Sequence, residues 1–76
     1  MHRLSLESTL LVSAAYSPDR TLLELEFRDG TCYRYFDVPT ACFQQLIASD
    51  SKGAYFNRNI RNRFRHQLLT EIEQPN

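Results

Sequence analysis

Residues 21–36 read TLLELEFRDGTCYRYF, and this stretch constrains the fold more than any other. Leu23, Leu25 and Phe27 fall on one side of an extended chain, Glu24 and Glu26 on the other. That period of two is the mark of a half-buried antiparallel strand. Asp29-Gly30 reverses the chain, and Thr31–Phe36 returns as a second strand. Two hairpin registers compete. A two-residue Asp-Gly turn sets Arg34 opposite Leu25 and turns both tyrosines toward the glutamates. A three-residue loop, Arg28-Asp29-Gly30 with Gly30 left-handed as a bulge, shifts the pairing by one. Tyr33 then faces Leu25, Tyr35 faces Leu23, and Arg34 lies across from Glu24. The second register joins apolar surface to apolar surface and opposite charges on the wet face, so it is preferred. It makes the YRY triplet mostly structural, with rings at the core edge and hydroxyls at its rim.

The remaining elements group around this hairpin. Residues 10–16, LLVSAAY, read as a largely buried strand, and Ser17-Pro18-Asp19-Arg20 as the turn that follows it. Val38-Pro39-Thr40 opens a short helix, with Pro39 in its first turn or Thr40 as N-cap. Phe43, Leu46 and Ile47 give that helix an apolar stripe. Asp50-Ser51-Lys52-Gly53 ends it, Gly53 taking a left-handed or tight-turn conformation. Phe56, Ile60, Phe64 and Leu68 recur every fourth residue and predict a second helix from about residue 56 to about 72. The expected fold is therefore α+β: a three-stranded antiparallel β-meander, with room for a fourth short strand, packed against two C-terminal helices. Its expected core is Leu11, Leu23, Leu25, Phe27, Phe36, Phe43, Leu46, Ile47, Phe56, Ile60 and Phe64.

With 76 residues there is room for one domain, read as 1–76 with a core over about 8–70 and frayed ends, including Gln74-Pro75-Asn76. A chain this short buries only about 60–65% of its unfolded surface, so its core is thin. Hydrophobic residues at 42% exclude a disordered chain, and no run is long enough to span a membrane. The N-terminal MHRLSLESTLLVSAAYS is interrupted by Glu7 and runs on into a strand pattern, so no targeting segment is read and a cytoplasmic protein is expected. Cys32 and Cys42 lack the spacing of a disulfide framework, a zinc site or a redox pair. Neither a metal nor a cofactor is expected.

Formal neutrality hides an asymmetry. Residues 1–50 hold four basic side chains against seven acidic ones, whereas 51–76 hold five against two. Lys52, Arg58, Arg61, Arg63 and Arg65 fall in the acid-free stretch KGAYFNRNIRNRFRH. On a helix, Arg58, Arg61 and Arg65 share an arc of roughly 60°, away from the centre of the apolar face. With Lys52 they make a basic ridge, which suits an anionic partner.

Four motifs occur in one order: DGTCYRY, FDVP, SKGAYFN and NIRNRF. The series resembles the KTSC domain, a small module named for its place at the C-terminus of some lysyl-tRNA synthetases and found alone in short bacterial and phage proteins. The resemblance covers roughly residues 8–66. Matching family-pattern positions are Tyr33, Tyr35, Pro39, Ser51, Gly53, Phe56, Asn57, Ile60 and Arg61. Through the synthetase connection the resemblance implies RNA as a partner class, by association alone.

The leading expectation is a non-catalytic module that binds tRNA or single-stranded RNA through the basic second helix. Lys52, Arg58, Arg61 and Arg65 would hold phosphates, while Asn57 and Asn62 touch bases or sugars. Engaging about four phosphates predicts a log–log salt slope near −3. The alternative is a protein-interaction or self-association module using an uncovered sheet edge, or the acidic strand face of one copy against the basic helix of another. The bland reading of the basic stretch is a solvated helix face, with Arg61 or Arg63 paired to Asp37 or Asp50. A ribonuclease using His66 is the weakest option, because no second acid–base partner is fixed, so no enzyme is expected. Neither a membrane nor a small-molecule substrate is implied.

Overall fold

The computed structural model describes residues 1–69. Its elements are β1 (His2–Ser5), β2 (Leu11–Ser17), β3 (Leu22–Phe27), β4 (Cys32–Tyr35), α1 (Thr40–Ala48), α2 (Lys52–Asn59) and β5 (His66–Leu68). The strands form one antiparallel sheet in the order β1-β2-β3-β4-β5. The α+β class and the antiparallel meander stand as expected. The sheet gains a strand at each edge, and the two helices lie within the meander, between β4 and β5.

The hairpin adopts the three-residue loop. Leu23 pairs with Tyr35, Glu24 with Arg34 and Leu25 with Tyr33. The Gly30 amide donates to the Phe27 carbonyl, and Gly30 takes φ +93°, which a side chain rarely tolerates. Register then propagates across the sheet. One row runs Leu4, Ala14, Leu25, Tyr33, Leu68, and the next runs His2, Tyr16, Leu23, Tyr35, His66. The row between them, facing the other way, is Arg3, Ala15, Glu24, Arg34, Gln67. A shift in β2 between Leu11 and Ser13 explains why LVSAAYS does not alternate cleanly. The irregularity keeps Leu11 inside along with Ala14 and Tyr16.

The core forms where the helices cover the first of these faces. Leu11, Leu23, Leu25, Leu46, Phe56 and Ile60 are buried as expected, and Phe27, Phe43, Ile47 and Phe64 pack against them half-buried. Ala14 and Tyr16, in the strand read as largely buried, and Tyr35, read at the core edge, lie in the core, and Leu6 and Val38 join it unanticipated. Phe36 is only half-buried and lies beneath the Arg65 guanidinium, 4.3 Å from its ring centroid. The Tyr16 ring stacks on Phe43 at 4.7 Å and its hydroxyl donates to the Val38 carbonyl, which fixes the start of α1. Pro39 caps that helix by its carbonyl, which accepts from the Cys42 and Phe43 amides.

Three expectations are corrected. The N-terminal residues, expected to fray, instead form β1 against β2, because HRLSLE alternates and brings Leu6 into the core and Arg3 to Glu24. Gly53 is not a turn residue but sits inside α2, whose N-cap is Ser51, the serine Oγ accepting from the Ala54 amide at 3.3 Å. A Cβ at Gly53 would lie 3.3 Å from the Leu10 Cβ, so close approach is the reason for glycine there. The third concerns α2, which ends at Asn59 rather than near residue 72. The Ile60 and Arg61 amides both donate to the Phe56 carbonyl, and Asn62 then takes φ +64°. Asparagine favours that left-handed region and weakens a helix interior. The chain turns and returns along β4 as β5, pairing Tyr33 with Leu68 and Tyr35 with His66. A spacing of four fits a strand's period as well as a helix's, which is how Phe64 and Leu68 imitate a helical stripe. The expected helical residues 70–72 and the tail 74–76 lie outside the described residues. Among the described residues no helix is long and apolar enough to cross a membrane.

Candidate functional site

The end of α2 does not simply continue away from the sheet. It turns back over β4, and this leaves a cleft of about 620 Å³ between the β3–β4 hairpin, the end of α2 and β5. Its wall is aromatic: Phe27, Tyr33, Tyr35, Phe56 and His66. The rings meet edge to face or tilted. Phe27 and Tyr33 are perpendicular at 5.9 Å, Tyr35 and Phe56 stand at 76° and 5.8 Å, and His66 leans on Tyr33 and Tyr35 at 5.6 and 5.5 Å. Such offset arrangements are the favoured ones for aromatic quadrupoles. They also leave these rings without a parallel partner, unlike the Tyr16–Phe43 pair.

Polar groups form the rim: Arg28 and Asp29 from the hairpin loop, Asn57 from α2, and Arg61 and Asn62 from the turn after it. Arg28 Nε donates to the Ser8 carbonyl at 3.1 Å, which anchors the guanidinium beside the cleft. Arg61 Nη1 donates to Asn57 Oδ1 at 3.3 Å, a neutral partner that leaves the positive charge uncompensated. Asp29 accepts from the Thr31 hydroxyl at 2.7 Å and from its amide at 2.9 Å. These two bonds hold its carboxyl below the usual range. Tyr35 is only 4% exposed, and burial pushes its phenol up to about 12, with Tyr33 adding to the rise and Arg61 opposing it.

The structure divides the residues named from sequence. Asn57, Arg61 and Asn62 come together at the cleft. Lys52, Arg58 and Arg65 do not line it. Lys52 Nζ donates to the Ser49 carbonyl and so ties α2 to the end of α1. Arg58 is exposed in the last turn of α2. Arg65 lies over Phe36 and 3.8 Å from Asp37, both partners of that ion pair being largely exposed. The helical ridge is thus corrected, since Arg61 and Arg65 lie beyond the helix that was to align them. Among the described residues neither Arg61 nor Arg63 makes the pairing with Asp37 or Asp50 that the bland alternative supposed; Arg65 takes Asp37 instead.

Arg28, Asp29, Tyr33, Tyr35, Phe56 and His66 were not singled out from composition as one site. The tyrosine signal was available in YRY, because their strand face is the one that turns toward α2. His66 was obscured by its assignment to a helix. Among the family-pattern positions, Tyr33, Tyr35, Phe56, Asn57 and Arg61 line the cleft. Pro39 and Ser51 cap helices, Gly53 allows the close approach to Leu10, and Ile60 is fully buried. Among the described residues no group of three or more His, Cys, Asp or Glu side chains is placed to hold a metal ion.

These features define a class: a small α+β module whose antiparallel meander is covered on one face by two helices and opens there into an aromatic cleft. The KTSC domain family model matches residues 7–64, and the chain belongs to that family. A crystal structure of a KTSC domain protein from Yersinia pestis superposes with a TM-score of 0.87 at 31% identity, covering 91% of this chain and 97% of that one. An uncharacterized protein from Stutzerimonas stutzeri is 43% identical over 58 residues, 76% of this chain and 82% of the relative. A lysine–tRNA ligase from a Nostoc species is 34% identical over 64 residues, which make up 84% of this chain but 11% of that ligase.

Proposed function

We propose that this domain is a non-catalytic recognition module that binds single-stranded RNA, the single-stranded parts of tRNA included, across the aromatic cleft rather than along α2. The observation that carries this reading is the pair of guanidinium groups at the cleft rim, Arg28 and Arg61. Neither is paired with a carboxylate among the described residues. Phosphates position a strand and aromatic faces tolerate any base, a combination common to single-strand binders. The likeness to a segment of a lysine–tRNA ligase supports RNA as the polynucleotide. A cytoplasmic setting belongs to the same proposal, and the unpaired thiols of Cys32 and Cys42 suit a reducing compartment.

Two phosphate contacts on a single strand give a log–log salt slope of about −1.4, against about −3 for the four-cation helix ridge. Fluorescence anisotropy with a labelled single-stranded oligoribonucleotide and with tRNA, across a salt series, measures that slope. An Arg28→Ala/Arg61→Ala variant is expected to lose binding, while Lys52→Ala/Arg58→Ala/Arg65→Ala retains most of it. Absence of saturable binding at low salt defeats the proposal, and the reverse pattern of variants moves the interface to the other face of α2.

A second reading rests on the sheet edges. β1 is exposed along its whole length and bears Leu4, and at the opposite edge β5 bears Leu68. Edge strands invite pairing with another chain. Sedimentation velocity over a concentration series tests homodimer formation, which predicts a rise in mass that a Leu4→Lys variant removes.

A further inference from the structure

The phenol of Tyr35 has more to do than fill the core. It is 96% buried by side-chain and backbone packing, lines the cleft, and finds no hydrogen-bond partner among the described residues. Buried hydroxyls nearly always find a partner, and an unmet one marks a place where a ligand or water atom belongs. Tyr16, the other tyrosine of that cross-strand row, shows the contrast: its hydroxyl is equally inside and is satisfied by the Val38 carbonyl and Thr40. Around Tyr35 the wall offers ring faces without parallel partners, and the rim offers Arg61 with an uncompensated charge. A volume of about 620 Å³ falls within the range of about 300–1,000 Å³ typical of small-ligand pockets.

We infer that the cleft takes one unstacked nucleobase of the bound strand, its ring against Tyr33 and His66, its edge accepting a hydrogen bond from the Tyr35 hydroxyl, and its phosphate on Arg61. This rests on the reading of the domain as a single-strand RNA binder and adds that the strand is gripped by a base, not by its backbone alone. The phenol is suited to donation, because a tyrosine hydroxyl keeps its proton at physiological pH and burial only raises its pKa further. The base edge supplies the acceptor, a carbonyl oxygen or ring nitrogen, which every nucleobase presents. The phosphate reaches the rim, where Arg28 and Arg61 are the cations.

The test compares a short single-stranded oligoribonucleotide with a strand of the same length and charge that lacks bases, both against the wild-type chain and Tyr35→Phe. Phenylalanine keeps the ring and removes only the hydroxyl. Stacking on aromatic side chains is worth enough per base that the baseless strand is expected to bind about 5- to 100-fold more weakly. Tyr35→Phe is expected to weaken the base-bearing strand about 3- to 10-fold and leave the baseless strand unchanged. Equal binding of the two strands overturns the base pocket while leaving the strand-binding reading intact. Equal loss of both strands in Tyr35→Phe, or no loss of either, overturns the role of the hydroxyl. If neither strand binds the wild-type chain, the strand-binding reading itself has failed and the pocket falls with it.

Discussion

The two faces of the sheet are built from alternate residues of the same strands, yet they use charge in opposite ways. On the open face Glu24 accepts from Arg3 at 3.0 Å and from Arg34 at 2.7 and 3.1 Å, and Ser13 bridges Arg3 to Glu26. These arginines are spoken for, and the small side chains of Ser13 and Ala15 are buried beneath them. On the helix-covered face Leu25 pairs with Tyr33 and Leu23 with Tyr35, the Tyr35 ring meets Phe56, and the cleft arginines, Arg28 and Arg61, have only neutral partners among the described residues. A count of charges treats Arg34 and Arg61 alike. Register and pairing separate them: one side of the sheet is closed on itself, and the other keeps cations and ring faces available to a ligand.

The contrast can be broken at its strongest point first. Leu25 is fully buried in the core, so Leu25→Ala should cost about 2–5 kcal/mol in urea denaturation, enough to threaten folding in so small a domain. A loss below about 1 kcal/mol would mean that the helix-covered face does not hold the fold together. Next in size is an alkaline effect. In the folded chain burial holds the Tyr35 phenol protonated up to about 12, whereas unfolded it ionises near 10. The stability it contributes is therefore intact below pH 10 and lost as pH rises through 12, up to about 2 kcal/mol in all. Thermal melts between pH 9 and about 12 should show that slope, and Tyr35→Phe should reduce it, leaving the share of Tyr55, whose phenol is also pushed up by burial and by its hydrogen bond to Cys42.

Smaller effects are expected from the polar groups of each face. Glu24→Gln removes two ion pairs from the open face. Because Arg3 and Arg34 remain partly exposed, the expected loss is only about 1 kcal/mol, less at high salt. Smallest of all is Arg61→Ala, which should lower the unfolding free energy by no more than about 0.5 kcal/mol, since it breaks a single exposed bond to Asn57. A larger loss would assign Arg61 to the fold and not to a ligand.

How far the sequence revealed this arrangement varies along the chain. The β3–β4 hairpin was legible down to its register, because apolar alternation and the Asp-Gly bulge agree on one pairing. The first helix followed from Pro39 and the Phe43–Leu46–Ile47 stripe. The region after Asn59 was misread for a physical reason: residues spaced by four satisfy both helix and strand, and only the left-handed Asn62 and the unpaired edge of β4 decide between them. That one misreading scattered the supposed basic ridge. It also hid the cleft, which exists because β5 brings His66 alongside Tyr33 and Tyr35. At the other end β1 was missed because the alternation of HRLSLE is short and its four strand residues are exposed, so it reads as a strand only beside β2, which it joins.

If the domain binds RNA as proposed, one face of the sheet engages the polynucleotide and the other does not. Titration of isotope-labelled protein with a single-stranded oligoribonucleotide, followed by nuclear magnetic resonance, tests it most directly. Saturating shifts are expected at Tyr33, Tyr35, Asn57, Arg61 and His66, while Arg3, Ser13, Glu24 and Arg34 stay unmoved. Shifts centred on those four, or a spectrum unchanged at low salt with excess strand, would contradict it.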